Sequence, residues 1–192
     1  MLIKKEPIAL VGMSLRFPGD IGDPETFWQA LIDKQDLITE VDPNRWDTSL
    51  FQHDNKATLG TSYTFAAGQL SNIDQFDAQF FGISPREAAQ MDPQQRLLLE
   101  LTWQALADGQ QRVDTLAGSN CAVFIGIASN DYANRAIDDM SVADAYTMTG
   151  NTASIAANRL SYQFDLKGPS VAVDTACSSS LVAVHEACKS LW

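Results

Sequence analysis

Basic side chains, histidine and long apolar runs are all scarce in this 192-residue chain. Thirteen Lys and Arg stand against 24 Asp and Glu, a formal net charge of −11 at pH 7. Nucleic acid and anionic lipid surfaces both need clustered cations, so neither fits as a partner. No window approaches the ~18 consecutive apolar residues that mark a membrane-spanning helix. The opening stretch MLIKKEPIALVGMS places two lysines before an apolar run, a faint echo of a targeting segment. Glu6 and Pro7 interrupt that run and no small-residue cleavage pattern follows Gly12, so Ile8–Met13 reads as a buried strand. Three cysteines, Cys121, Cys177 and Cys188, are an odd number at no metal-ligand spacing. That argues against a disulfide framework and a metal centre, and fits free thiols in a reducing cytoplasm. Neither a GxGxxG nor a GxxxxGK[ST] loop occurs, which leaves nucleotide binding without support. Internal repeats and low-complexity stretches are also absent.

What is present is a globular composition, 45% hydrophobic and 19% charged, at a length that suits one domain or a large part of one. Asp23-Pro24 predicts a helix start with Phe27, Leu31 and Ile32 inward. Residues from about 36 to 73 lack periodicity and read as loops and short elements. Ser84-Pro85-Arg86-Glu87 has the form of a capping box, with Glu87 reaching back to the cap. Asp92-Pro93 opens a second helix whose apolar face is Leu97, Leu98, Leu101, Ala105 and Leu106, ending at Gly109. Cys121–Ile127 reads as a buried strand and 128–149 as a long polar loop. A helix, TASIAANRLSYQF, opens at Asn151 or Thr152 and is terminated by Gly168-Pro169, followed by a strand at Val171–Asp174 and a helix from Cys177 to Leu191. Strands alternating with helices predict an α/β architecture with a buried, mainly parallel sheet.

The run VAVDTACSSSLVAVHEACKSL concentrates the chemistry. A β-branched strand passes through a tight turn into a helix with Cys177 in its first turn. Ala176 and Ser178–Ser180 are small enough to let a substrate approach the thiol. Unpaired N–H groups and the positive end of the helix dipole favour a thiolate there, the attacking form of cysteine, and the same N–H groups can hold an oxyanion. The residues alone leave a second reading open, in which Cys177 is a small packing residue between helix and sheet. Ser178–Ser180 lack a G-x-S-x-G frame and suit capping and packing. No base is evident. His185 lies eight residues on, roughly 12 Å along the helix axis, and suits a bond to a neighbouring element. His53 sits in the irregular segment. Cys121 and Cys188 read as buried core thiols.

The stretches EPIALVGMSLRFPG, DPNRWD, FDAQFFGISPREAAQMDPQQRLLLELTWQALAD and TGNTASIAANRLSYQFDLKGPSVAVDTACSSSLVAVHEAC cover nearly the whole chain in order. Together they resemble the N-terminal portion of a β-ketoacyl synthase, specifically the ketosynthase of modular polyketide synthases in the thiolase superfamily. The resemblance implies a layered αβαβα fold of which residues 1–192 form the N-terminal half only, ending just after the nucleophile helix. It implies an acyltransferase in which Cys177 takes an acyl group as a thioester, with its backbone N–H in the oxyanion site. The acyl-enzyme then undergoes decarboxylative Claisen condensation with a malonyl-type unit. No cofactor is bound directly; substrates ride on the phosphopantetheine of an acyl carrier protein. A homodimer is expected, with residues 128–149 near its interface and the acyl pocket, making Met148 a candidate substrate-binding residue. No metal, nucleic acid or membrane is implied.

The family's two further histidines, in motifs like HGTGT and NxGH, and a lysine belong to the second half. A completing C-terminal ketosynthase half, in cis or in trans, is therefore expected for condensation, and the lone chain should expose apolar faces. Cys177 is not Gln, which disfavours relatives that only decarboxylate. Two other readings remain: a non-catalytic dimerisation or docking module of a synthase, and a self-contained cysteine hydrolase or acyltransferase using His53.

Overall fold

Three helices begin by the same local chemistry, an acceptor side chain at the cap followed by proline, which lacks the N–H that the first turn would leave unpaired. In the computed structural model, which describes residues 6–192, the chain forms two compact units, Ser14–Ile73 and residues up to Met13 together with Asp74–Trp192. Among the described residues no helix is long and apolar enough to cross a membrane.

In the Ser14–Ile73 unit, α1 (Pro24–Ile32) is capped by the Asp23 carboxylate, which accepts from the Thr26 N–H at 2.8 Å. That bond holds the Asp23 carboxyl below its ordinary range. The expected inward face is not realised: Leu31 and Ile32 are exposed and only Ala30 is buried. The reason is local, since the unit's sheet is a ribbon of two three-residue strands, β1 (Ile38–Glu40) and β2 (Ala66–Gly68), antiparallel with Thr39 opposite Ala67. Such a ribbon offers no layer to cover a helix face. The remainder is irregular, as its composition predicts. Trp46 packs on Phe51 and Phe65 with ring centroids 5.1 Å away.

The larger unit carries α2 (Pro85–Gln90), α3 (Pro93–Asp108), α4 (Val113–Leu116), β3 (Val123–Gly126), α5 (Asn134–Asp138), α6 (Thr147–Asn151), α7 (Ala153–Gln163), β4 (Ser170–Val173) and α8 (Ser179–Leu191). β3 and β4 pair in parallel, in register from Val123 opposite Ser170 to Gly126 opposite Val173. Parallel pairing needs a crossover, and α7 supplies it, packing on both strands with α3 against it. The core is Phe81, Met91, Leu99, Val123, Ala157, Leu160 and Phe164.

Several expectations are corrected here. Ile8–Met13 forms no strand; Leu10 and Val11 are exposed, because no described strand pairs with them. On α3 the fully buried residues are Gln95, Arg96 and Leu99; the expected Leu97, Leu98, Leu101, Ala105 and Leu106 are half-buried, with Leu98 and Leu106 packed against the core. Two of the three buried positions are polar, so a hydrophobicity reading passes over the stripe. Residues 128–149 are not one loop: 3₁₀ turns at Asp131–Ala133 and Met140–Val142 flank α5, and α6 begins at Thr147. α7 ends at Gln163, as the run TASIAANRLSYQF predicts, but the residue that turns away is left-handed Asp165 (φ 52°), ahead of the expected terminator Gly168-Pro169. The expected exposed apolar face is present on α8, where Leu181, Val184 and Leu191 lie open to solvent.

Ser84 caps α2 by accepting from the Glu87 N–H at 3.1 Å, but the Glu87 carboxylate does not reach back. It turns to Arg159 of α7, whose Nη1 donates to Glu87 Oε1 at 2.6 Å and whose Nε donates to Gln95 Oε1 at 2.8 Å. Gln95 in turn donates to the Thr149 carbonyl at 3.2 Å, and the Asp92 N–H donates to the Gly150 carbonyl at 2.9 Å. Gln90 Nε2 donates to the Val142 carbonyl and Tyr132 Oη to the Ala89 carbonyl, so residues 129–152 are strapped to α2 and α3 by polar bonds. Arg86 adds an exposed bond to Asp144 at 2.8 Å, holding that carboxyl below its usual range. A depressed carboxyl contributes stability that is present above its unfolded pKa and lost as pH falls through the folded one, so this strap persists at neutral pH and loosens only in acid.

The Arg159 side chain is 11% exposed, and removing Glu87 leaves its guanidinium without a carboxylate. Glu87→Ala is expected to destabilise the protein by about 1–3 kcal/mol, and Glu87→Gln by less, because its amide oxygen still accepts. Denaturant midpoints of the two variants check the order.

Candidate active site

β4 ends at Val173 and α8 begins at Ser179, and both ends of the connection meet the same residue. Val173 is the register partner of Gly126 at the end of β3. A Cβ on Gly126 would lie 2.5 Å from Ser180 N and 2.6 Å from the Ser179 carbonyl carbon, so the first turn of α8 rests directly on that backbone. The five residues Asp174–Ser178 must leave Gly126 and return to it. A reversal that tight is made at Ala176, which takes φ 54°, a left-handed conformation that costs a non-glycine residue about 1–2 kcal/mol.

Hydrogen bonds inside the turn hold that conformation. Asp174 Oδ1 accepts from the Ala176 N–H at 3.0 Å. Ser178 Oγ donates to the Thr175 carbonyl at 2.9 Å and lies 2.9 Å from Thr175 Oγ1. Ser179 Oγ accepts from the Thr175 N–H at 2.9 Å and donates to the Ala176 carbonyl at 2.7 Å. The Cys177 N–H and Sγ take part in none of these bonds, and the residue is exposed.

The helix therefore starts two residues later than the sequence suggests. Left-handed Ala176 and the bonded hydroxyls keep 175–178 outside it, placing Cys177 just ahead of the Ser178 N-cap. The thiol still stands at the N-terminal end of a 13-residue helix, the end that favours negative charge. Ser178 and Ser179 serve the turn and the packing, and Ser180 is exposed.

The other candidates are placed as follows. Met148 is 74% exposed on α6, which packs on α2 and α7, and its carbonyl accepts from the Thr152 N–H and hydroxyl. His185 is exposed on α8, and its ring makes no hydrogen bond among the described residues, so the expected bond to a neighbouring element is not found there. The uncovered face of α8 gives it nothing to bond. His53 belongs to the Ser14–Ile73 unit, where its Nδ1 accepts from the Asn55 N–H at 3.0 Å in a local turn. Cys121 and Cys188 are half-buried free thiols rather than core residues. Gly126 and Ser179 are the residues that sequence reasoning does not single out. The one signal for Gly126 is a glycine closing the run CAVFIG, a place where a backbone often approaches closely.

The arrangement offers an exposed thiol with its own backbone N–H beside it, and without a neighbouring base among the described residues. Comparison with known proteins identifies the family. The family described as "Beta-ketoacyl synthase, N-terminal domain" matches residues 5–192. One component of the phenolphthiocerol/phthiocerol polyketide synthase of Mycobacterium tuberculosis is 49% identical over 186 residues, 97% of this chain and 12% of that protein. Another component of the same synthase is 48% identical, over 97% of this chain and 10% of that protein. Among solved structures, the oxazolomycin ketosynthase domain of Streptomyces albus superimposes with a TM-score of 0.86 at 34% identity, covering 95% of this chain and 31% of that one. The ketosynthase from module 6 of the bacillaene synthase of Bacillus subtilis gives 0.78 at 36% identity, covering 95% and 29%. The chain thus spans about an eighth of the first polyketide synthase and under a third of the ketosynthase structures.

Gly126→Ala drives a methyl group into the first turn of α8. It is expected to lower stability by about 1–3 kcal/mol and to change the rate at which iodoacetamide labels Cys177. Denaturant melts and peptide mapping of the label check both; an unaltered melt and labelling rate would contradict the backbone contact.

Proposed function

The chain belongs to the β-ketoacyl synthase family, and on that premise we propose that Cys177 is the residue that accepts an acyl group from a phosphopantetheine thioester. The Cys177 thiolate attacks the thioester carbonyl, a carbon–sulfur bond forms, and the carbonyl oxygen gains negative charge. The Cys177 N–H, free of the bonds that hold its turn, donates to that oxygen. The tetrahedral species collapses, the pantetheine sulfur leaves as thiolate and takes a proton, and the acyl group remains on Cys177.

A carbanion then attacks the Cys177 thioester. Its electron pair comes from loss of CO₂ from a malonyl-type unit, a carbon–carbon bond forms, and the Cys177 thiolate is released. Nothing at the Cys177 turn stabilises an enolate. The histidines and lysine of the second half of a ketosynthase suit that task, supplied in cis or in trans. The single observation that carries the proposal is the exposed Cys177 on a left-handed turn whose side-chain hydrogen bonds fall on Thr175 and Ala176 and not on the Cys177 N–H.

The proposal extends to setting and partners. The activity is that of an acyltransferase of the ketosynthase type, working in the cytoplasm with an acyl carrier protein and as a homodimer. Met148, exposed on α6, would line the acyl pocket. The His53 reading is not retained, since the ring nitrogen that would act as a base is taken up by the Asn55 N–H. The docking-module reading is separated by the test.

The chain is completed with the C-terminal part of a ketosynthase and given an acyl-carrier thioester and a malonyl-carrier thioester. The proposal predicts a mass adduct on the Cys177 peptide before the malonyl unit is added, and a β-ketoacyl product afterwards. Cys177→Ala should lower product formation by at least about 10³-fold. An adduct on another residue, or undiminished product from Cys177→Ala, would contradict it; no adduct at all would favour the docking module. Met148→Trp should lower kcat/KM for long acyl chains by about tenfold more than for acetyl, and equal losses for both would remove Met148 from the pocket.

A further inference from the structure

Ser179 holds an arrangement that the nucleophile alone does not explain. It is buried, 5% exposed, and its single hydroxyl bonds to two different peptide groups of the turn before Cys177. The Ala176 carbonyl receives two bonds from this one residue, from Ser179 Oγ at 2.7 Å and from the Ser179 N–H at 3.1 Å. That carbonyl and the Cys177 N–H belong to the same peptide plane. In a trans peptide the two point in opposite directions, so fastening the C=O inward aims the N–H outward. The second bond, from the Thr175 N–H to Ser179 Oγ, pins the other side of left-handed Ala176. Ser179 is itself fixed, because its backbone rests against Gly126.

We infer that Ser179 is a positioning residue for acyl transfer, whose hydroxyl locks the Ala176–Cys177 peptide so that the Cys177 N–H faces the thioester oxygen. This rests on the reading of Cys177 as nucleophile. Ser179 touches no substrate; it acts through the direction of a neighbouring N–H. Alkylation of a thiolate by iodoacetamide displaces iodide and develops no oxyanion, so it needs an accessible sulfur and not that N–H. Thioester acylation needs both. The ratio of the two rates therefore separates aim from mere exposure of the thiol.

The test uses Ser179→Ala and, as the hydroxyl-retaining variant, Ser179→Thr. Amide hydrogen exchange is followed at Thr175 in the full chain. Acylation by an acyl-pantetheine thioester and alkylation by iodoacetamide, both mapped to Cys177, are followed in the completed ketosynthase. In Ser179→Ala, Thr175 exchange should quicken about tenfold or more, since its acceptor is gone. Acylation should fall at least about tenfold relative to alkylation, the order expected for a misdirected oxyanion donor. Ser179→Thr should recover most of both. Unchanged Thr175 exchange in Ser179→Ala overturns the inference whatever Cys177 does. Quickened exchange with an unchanged acylation-to-alkylation ratio also overturns it, leaving Ser179 structural. If the wild-type protein is alkylated but never acylated at Cys177, the nucleophile reading fails, and the positioning role falls with it.

Discussion

The backbone of Gly126 is the fixed point from which the site is built. It closes β3, pairs in register with the last residue of β4, and carries the first turn of α8 on a surface too close for any side chain. The connection between β4 and α8 is therefore anchored at both ends to one residue, and its five members have little freedom in how they reverse. Left-handed Ala176 is the consequence, and the Asp174, Ser178 and Ser179 side chains oppose its cost with hydrogen bonds. All five residues of the connection are exposed, and the side-chain hydrogen bonds of the turn involve neither the Cys177 N–H nor its sulfur. The form of the turn follows from packing: a strand and a helix brought into contact on one glycine leave a tight connection between them.

A second, polar framework serves the opposite purpose. Segment 129–152 contains only short helical pieces and little buried apolar surface, so it cannot be held by hydrophobic packing alone. Instead Gln90, the Asp92 backbone and Gln95 bond to its carbonyls, and Arg159 links Glu87, Gln95 and Thr149. Directional bonds define a backbone path while leaving side chains such as Met148 turned outward.

Local signals in the sequence are legible because they act locally. Asp23-Pro24, Ser84-Pro85 and Asp92-Pro93 start helices where their capping chemistry says, and the parallel α/β arrangement of β3, α7 and β4 follows from apolar runs with a helical pattern between them. Ile8–Met13 misleads because a strand exists only with a partner, and apolar composition does not provide one. The α3 stripe misleads because Gln95 and Arg96 are buried for their hydrogen bonds, not their hydrophobicity. Glu87 satisfies the capping-box pattern yet bonds to Arg159, 72 residues away, instead of its own helix end. The place of Cys177 on the turn between a strand and a helix is legible from its neighbours. Its direction is not, since that depends on Gly126, in a different strand, and on which of three serines turns inward.

Whether the Cys177 N–H meets a thioester carbonyl oxygen is tested most directly by a structure of the protein acylated at Cys177. The predicted result is a thioester carbonyl oxygen about 2.7–3.1 Å from Cys177 N, with the Ala176 carbonyl still bonded to Ser179. A thioester oxygen turned away from that nitrogen, with the Ala176–Cys177 peptide flipped or the Cys177 N–H bonded within the protein, would contradict it.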